Sequence, residues 1–203
     1  MSLSSRKQNI RREMRRLRRT LSYIKCIDLS EKISDVIKTL VPLKAKSKIA
    51  CYLPNDGESD LSKLISQLWA SKHYCYLPKL NGDQLQFSLY TEGTAMTDNR
   101  FGIPEPQKCP MELCPPWELD LVLMPLVAFN LQGARIGMGG GFYDRTFSFK
   151  LHEKFPGKPR LIGVAYEFQQ FDLLASEYWD VPLDAVATEV GLREFHRYRI
   201  AGL

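Results

Sequence analysis

No apolar run in this 203-residue chain approaches the roughly 20 residues that a membrane-spanning helix requires. The N-terminal segment is rich in arginine and has no apolar core, so it does not read as a secretory signal. Cys26, Cys51, Cys75, Cys109 and Cys114 are odd in number, scattered, and form no C-x-x-C pair; His73, His152 and His196 fall at no metal-ligand spacing. These absences speak against a disulfide framework and a zinc centre, and favour reduced thiols in a cytoplasmic protein. Cys51 and Cys75 sit in apolar strand patterns and are expected in the core. Internal repeats, an interdomain linker, a nucleophilic triad and an activated cysteine are missing as well. With 44% apolar and 25% charged residues, the chain has a globular composition and length enough for one continuous core, so a single α/β domain over 1–203 is expected.

Acids are scarce near the start. From Arg6 to Arg19 the basic residues Arg6, Lys7, Arg11, Arg12, Arg15, Arg16, Arg18 and Arg19 face only Glu13, a local charge of +7 against a total of +5. Ser5-x-x-Gln8 has capping-box form and opens a helix. Ile10, Met14, Leu17 and Leu21 recur at helical steps and give it one apolar face. Most of its arginines read as solvated. An anion site at its N-terminal end and a nucleic-acid arm are the other readings, and the apolar stripe argues against a free arm.

A second helix is expected over 29–40, ended near Pro42. Lys48 to Leu53 reads as a strand ended by Pro54. Asp60 caps a helix whose inward face is Leu61, Leu64, Ile65, Leu68 and Trp69, and His73 to Leu77 is the next strand, ended by Pro78. Strand, helix, strand at this spacing implies a parallel pair. Asn81-Gly82 can turn that strand back into Gln84–Tyr90, an antiparallel element at the edge. Thr91 to Trp117, with five of the twelve prolines, reads as a long irregular connection of the kind that often carries function. Strands follow at 119–124, 161–166 and 185–188, and the tail from Arg193 carries no signal. The expected architecture is a three-layer, mainly parallel Rossmann-like sheet with helices on both faces. Asn55 and Glu58, the glycine-rich loop described next, and the segment after Tyr166 all follow strands, so they can share the rim where such sheets bind ligands.

The glycine-rich stretch Gly133-Ala134-Arg135-Ile136-Gly137-Met138-Gly139-Gly140-Gly141-Phe142-Tyr143-Asp144-Arg145 lies between the strand at 120–125 and a helix expected from Phe142 towards Lys154. It lacks the Gly-Lys-Ser/Thr ending of a P-loop, and Phe142 stands where a dinucleotide fingerprint needs its third glycine. Strand, glycine loop, helix is nevertheless a setting in which backbone N–H groups converge on an anion. Arg135 and Arg145 bracket the loop with forks suited to phosphate oxygens. Asp144 adds a hard oxygen ligand of the kind a magnesium–nucleotide site needs. A plain tight turn is the competing reading.

The stretch resembles the signature of the 5-formyltetrahydrofolate cyclo-ligase (5,10-methenyltetrahydrofolate synthetase) family, roughly G-x-R-L-G-x-G-x-G-Y-Y-D. Lys7-x-x-Ile10-Arg11, Tyr52-Leu53-Pro54-Asn55-Asp56-Gly57-Glu58, Phe101-Gly102-Ile103-Pro104-Glu105-Pro106, Asp180-x-x-Leu183-Asp184 and Thr188-Glu189 resemble further motifs of that family in the same order. The resemblance implies ATP-driven closure of 5-formyltetrahydrofolate to 5,10-methenyltetrahydrofolate with release of ADP and phosphate. Phosphorylation makes the formyl oxygen a leaving group that N10 displaces, work that is mostly positioning and charge neutralisation.

Carried over by residue, the resemblance makes Lys7 and Arg11 ATP contacts, with Arg135, Ile136, Gly137, Met138, Gly139, Gly140, Gly141, Phe142 and Tyr143 as the nucleotide loop. Arg135 and Tyr143 are its catalytic members. Leu53, Glu58, Met138, Gly139, Gly140, Gly141 and Phe142 become reduced-folate contacts, and Asp144 and Asp180 become acids for Mg²⁺. A carboxylate at Glu58 suits the paired N–H donors of a pterin. Apart from the resemblance, Lys7 reads as one more solvated charge, Asp180 as a turn cap and Glu58 as an acid at a helix entrance. The family often has Lys where Gly140 stands, His where Trp179 stands and Tyr where Phe142 stands. The implied partners are ATP and reduced folate; no nucleic acid, membrane or obligate protein partner is called for. Two rival readings are an α/β enzyme of phosphorylated substrates that uses the loop without ATP, and an RNA-binding protein that uses the Arg6–Arg19 face.

Overall fold

The computed structural model describes residues 3–107, 112–151 and 157–195. Cys109, His152, Lys154 and His196 lie outside the described residues. Helices α1 (Leu3–Thr20) and α2 (Tyr23–Leu40) precede strand β1 (Lys48–Ala50), helix α3 (Ser62–Ala70) and strands β2 (Tyr74–Asn81) and β3 (Gln84–Tyr90). Then come β4 (Met96–Asp98), β5 (Pro104–Pro106), β6 (Leu113–Cys114), β7 (Leu121–Pro125), β8 (Ala128–Phe129), β9 (Arg135–Ile136) and helix α4 (Phe142–Thr146). Strands β10 (Arg160–Val164), β11 (Ala185–Thr188) and β12 (Gly191–Glu194) complete the fold.

Eight strands form one sheet in the order β12-β11-β10-β7-β1-β2-β3-β6. The run from β11 to β2 is parallel, and β12 and β3 are each antiparallel to their inner neighbour. The expected parallel sheet is therefore present, and antiparallel strands flank it on both sides rather than one. Side chains alternate between the faces. Ile49, Leu121, Leu123 and Ile162 pack under α2 and α3, while Ala50, Val122, Met124 and Leu161 pack towards α4 and the 3-10 turn after it. Strands buried on both faces have no polar side, which is why they read as unbroken apolar runs. Cys51 and Cys75 are buried, as expected.

Several boundaries differ from the sequence reading. Helix α2 starts at Tyr23, capped by the Ser22 hydroxyl, which accepts from the Lys25 N–H at 3.3 Å. Its first turn exposes Tyr23 and Ile24, so the inward periodicity on which the later start was based is absent there. Strand β2 continues through Pro78, which pairs with Phe87. Pairing with β1 stops at Tyr76, so from Pro78 onward β2 has one partner only, a position that tolerates a missing N–H. The connection expected to be irregular contains the β4–β5 hairpin and the edge strand β6, and the segment read as a featureless tail supplies β12. The helix expected to run towards Lys154 stops at Thr146. The Thr146 hydroxyl bonds the Phe142 carbonyl at 2.7 Å and accepts the Leu85 N–H at 2.8 Å, tying α4 to β3.

Helix α1 covers neither face. Its Met14, with Ile10 and Leu17, packs on Val127, Ala128, Ile136 and Leu174 beyond the carboxyl ends of the strands. One consequence of the tight core is testable at Gly163 in β10. A methyl built there would fall 2.6 Å from Leu126 Cδ2 and 2.7 Å from Leu183 Cδ1. Gly163→Ala is expected to cost about 1–3 kcal/mol from overpacking, read as a lower denaturation midpoint with secondary structure retained.

Candidate active site

A cleft of ≈ 1160 Å³ opens at the carboxyl ends of the strands between α1, the segment after β1, the β4–β5 hairpin and the glycine loop. Lys7, Arg11, Leu53, Glu58, every residue from Arg135 to Arg145, and Asp180 all line it. Residues named at the sequence level from separate parts of the chain thus share one rim. The loop does not follow β7 directly, because the two-stranded β8–β9 hairpin intervenes and carries Arg135.

Gly139 and Gly141 adopt φ of 107° and 66°, backbone that side-chain-bearing residues rarely take, and Gly141 leads into α4. Arg11 lies across the loop, donating from Nε to the Gly137 carbonyl at 2.8 Å. The Arg145 fork is committed to protein carbonyls, Asp83 at 2.6 Å and Gly140 at 2.5 Å, so it braces the loop rather than presenting a free fork to a ligand. Two of the departures from the family's pattern are in contact: a Cβ on Gly140 would lie 2.7 Å from the Phe142 ring. Trp179 is half exposed in the cleft and packs edge-on against Tyr178 at 4.5 Å.

Two ion pairs cross the floor. Lys7 Nζ meets Asp180 Oδ2 at 3.1 Å, and Arg135 meets Asp144 Oδ1 at 2.7 Å. Asp144 Oδ1 also accepts the Val181 N–H at 3.1 Å, which sets the two acids beside each other. Asp180 Oδ2 accepts the Glu177 N–H at 2.9 Å, so Asp180 does cap a turn while it pairs with Lys7. Arg135 also donates to the Val181 carbonyl. Among the described residues no cluster of three or more His, Cys, Asp or Glu side chains forms a ready-made metal cage. Burial, and then the charge of Glu58, push the Tyr143 hydroxyl well above the usual tyrosine range, so it stays a hydrogen-bond donor at all ordinary pH.

On the opposite wall, Glu58 Oε2 accepts the Asn55 N–H at 3.1 Å. Burial raises the Glu58 pKa to about 7 against the opposing pull of Arg18 and that N–H. Asp56 receives hydrogen bonds from Arg15 at 2.6 Å, from Arg18 at 3.0 Å and from Arg19 at 2.8 Å. Burial works against the Asp56 carboxylate, but these three arginines outweigh it and bring its pKa down to about 2. Phe101 and Ile103 of the β4–β5 hairpin line the cleft, with the Phe101 ring 6.0 Å from Phe142.

Sequence reasoning assigned no role to Phe101, Ile103 or Tyr52, and it grouped Arg18 with the solvated arginines. Arg18 is buried. A signal was available, because Lys7, Arg11, Met14 and Arg18 follow one another at helical spacing and form one stripe on α1. Arg12 and Arg16 are exposed, as expected, and hydrogen-bond to Asn9 and Glu13.

A mainly parallel sheet with a glycine-lined cleft at its carboxyl ends, where cations and carboxylates meet, is the arrangement of an α/β enzyme. Comparison with known proteins is more specific. The family described as 5-formyltetrahydrofolate cyclo-ligase matches residues 3–189, and the chain belongs to that family. It is 37% identical over 183 residues to a 5-formyltetrahydrofolate cyclo-ligase of Haemophilus influenzae, covering 89% of this chain and 96% of that protein. To its Escherichia coli counterpart it is 35% identical over 178 residues, covering 86% and 96%. The solved structure of Aquifex aeolicus 5,10-methenyltetrahydrofolate synthetase superposes with a TM-score of 0.79 at 32% identity, covering 97% of this chain and 96% of that one. Among the described residues no helix is long and apolar enough to cross a membrane.

The two carboxylates lead to opposite pH dependences. The Asp56 pKa is depressed in the fold, so its contribution is present above about pH 4 and is lost as pH falls towards about 2. Asp56→Asn should lower the melting temperature at neutral pH, with the gap to wild type closing across that window. The Glu58 pKa is raised, so its contribution is present in acid and is lost as pH rises through about 7. Glu58→Gln should therefore raise the melting temperature relative to wild type more in alkaline than in acidic buffer.

Proposed function

We propose that this chain converts 5-formyltetrahydrofolate to 5,10-methenyltetrahydrofolate at the expense of ATP, on one domain, releasing ADP and phosphate. The observation that carries this reading is the single cleft that gathers Lys7, Arg11, Leu53, Glu58, Arg135 to Asp144 and Asp180. Family membership supports the folate half of it, and the cationic glycine loop supports the nucleotide half.

In this reading Lys7, Arg11 and Arg135 neutralise the phosphates, and the N–H groups of 137–141 close round them. The γ-phosphoryl passes from ATP to the formyl oxygen, leaving ADP; N10 forms a bond to the formyl carbon and gives up its proton to solvent, and phosphate departs with the original oxygen. Arg135 stabilises charge on the phosphoryl group in flight, and Tyr143 donates a hydrogen bond from its neutral hydroxyl. Glu58 accepts the pterin N–H groups, while Leu53, Met138 and Phe142 pack the ring. The donor set fits Mg²⁺, which is usually held by one or two carboxylates plus phosphates rather than by a protein cage. Asp144 and Asp180 would hold it, and bound there it would neutralise phosphate charge. Lys7 and Arg135 are paired with those two acids in the structure.

The direct test mixes the protein with 5-formyltetrahydrofolate and Mg-ATP and follows the near-ultraviolet absorbance of the methenyl product together with ADP. Product formed equally well without ATP, or none formed at all, would overturn the reading. Lys7→Ala and Arg11→Ala should each raise the KM for ATP by about one to two decades, the worth of a hydrogen bond to a charged group. Arg16→Ala, on the solvated face, should change it by about twofold or less. Equal effects at all three positions, together with salt-sensitive RNA binding, would favour the nucleic-acid reading instead.

A further inference from the structure

The side chain of Arg18 is 0% exposed, and it is the end member of the α1 stripe whose other polar members, Lys7 and Arg11, reach the cleft. The proposed chemistry gives it no task. A guanidinium sealed from water is costly unless it is paired and hydrogen-bonded. Its NH2 group donates to Asp56 Oδ2 at 3.0 Å and its NH1 group to the Leu126 carbonyl at 3.3 Å, while Nε has no hydrogen-bond partner among the described residues. Asp56 is shared with Arg15 and Arg19, so a single negative charge is spread over three guanidinium groups. The next anion that Arg18 meets is Glu58, whose Oε1 lies 3.8 Å from NH1. That separation is too long for a hydrogen bond and short enough for charge to act.

We propose that Arg18 is a positioning residue for the folate side of the cleft: from behind Glu58 it favours the ionised carboxylate over the protonated one without occupying Oε1, which stays available to the substrate. This rests on the reading of Glu58 as the folate contact. The groups facing Glu58 are Arg18 from α1, Asp56 from its own segment, Tyr52 from the end of β1 and Tyr143 from α4. Arg18 is the cation among them, opposed by burial and by the charge of Asp56. Glu58 Oε2 already accepts the Asn55 N–H, so the freer acceptor for a pterin N–H is Oε1, the oxygen that lies 3.8 Å from Arg18. A protonated Glu58 would put a hydroxyl towards a donor and repel it. Helix α1 therefore serves both ends of the cleft, phosphate through Lys7 and Arg11 and folate through Arg18.

The test is the pH profile of kcat/KM for 5-formyltetrahydrofolate in the full chain, with both substrate KM values measured at each pH. Arg18→Met should move the acidic limb upward by about one pH unit or more, the effect of removing an opposite charge at this distance. Its folate KM should be raised at neutral pH and should recover towards wild type in alkaline buffer, with the ATP KM little changed. Arg18→Lys, which keeps the charge, should keep the limb in place. If Arg18→Met does not fold, Arg18→Gln, which retains a donor for Leu126, is read in the same way. A limb that stays put in the neutral variant, or a rise in both KM values that alkaline buffer does not reverse, overturns the proposal and leaves Arg18 a structural residue. Glu58→Gln separates the two readings. If it raises the folate KM while the neutral Arg18 variant moves no limb, Arg18 alone is wrong. If it leaves the folate KM untouched, the folate role of Glu58 fails, and the Arg18 proposal falls with it.

Discussion

The contact between Asp56 and helix α1 is the one on which the geometry of the cleft depends. Asp56 and Gly57 both take positive φ, at 51° and 76°, which turns the segment after β1 back towards the helix. The Asp56 carboxylate then receives Arg15, Arg18 and Arg19 from successive turns. Exposed ion pairs are worth little, but here Arg18 is buried and the Asp56 side chain is only 9% exposed, so water screens the contact poorly. Met14, packed on Val127, Ala128 and Ile136, supplies the apolar half of the same contact. Together they lay α1 across the ends of the parallel strands. Without that placement Lys7 would not meet Asp180, and Arg11 would not cross the glycine loop.

Charge in the cleft is nearly self-compensating at short range. Lys7 is matched by Asp180 and Arg135 by Asp144, while the Arg145 fork serves the Gly140 carbonyl of its own loop and the Asp83 carbonyl of the β2–β3 turn. This arrangement gives these partly buried cations protein partners in place of water. It also gives the two acids and the two cations a common place, which is what a site for a metal-bound polyphosphate needs under the proposed reading. The apolar wall of Leu53, Phe101, Ile103 and Phe142 faces it and suits a flat aromatic ligand.

Much of the site was legible because its residues sit at strand ends or in a glycine loop, where local rules point to function. Arg135, Asp144 and the glycines announced themselves by type and spacing, and Glu58 by its place after a strand. Phe101 and Ile103 did not, since a proline-rich connection carries no periodicity to show which residues turn inward; pairing of Met96–Asp98 with Pro104–Pro106 decides that. Pro78 misled because a proline reads as a strand end unless it is known that the strand has lost one neighbour there. Edge strands β6 and β12 were equally silent: β6 is two residues long and pairs with Phe87 and Ser88, far back in the chain, and β12 is a short, partly exposed return from β11 with no buried apolar face to mark it.

The sequence by itself determined the class of fold and the inner strands, because burial on both faces demands continuous apolar runs. It also brought forward the polar residues of the cleft: Arg135, Asp144 and Arg145 by their place beside the glycines, and Lys7, Arg11, Glu58 and Asp180 through the family resemblance. The tertiary structure alone decided which charges are exposed. Arg16 and Arg18 are the same residue type two positions apart on one helix, yet Arg16 lies in water and Arg18 lies sealed behind Glu58. Helical spacing puts Arg18 on the stripe of Lys7, Arg11 and Met14 and leaves Arg16 off it; what seals that stripe is the element packed against it, carrying Asp56 nearly forty residues further along the chain.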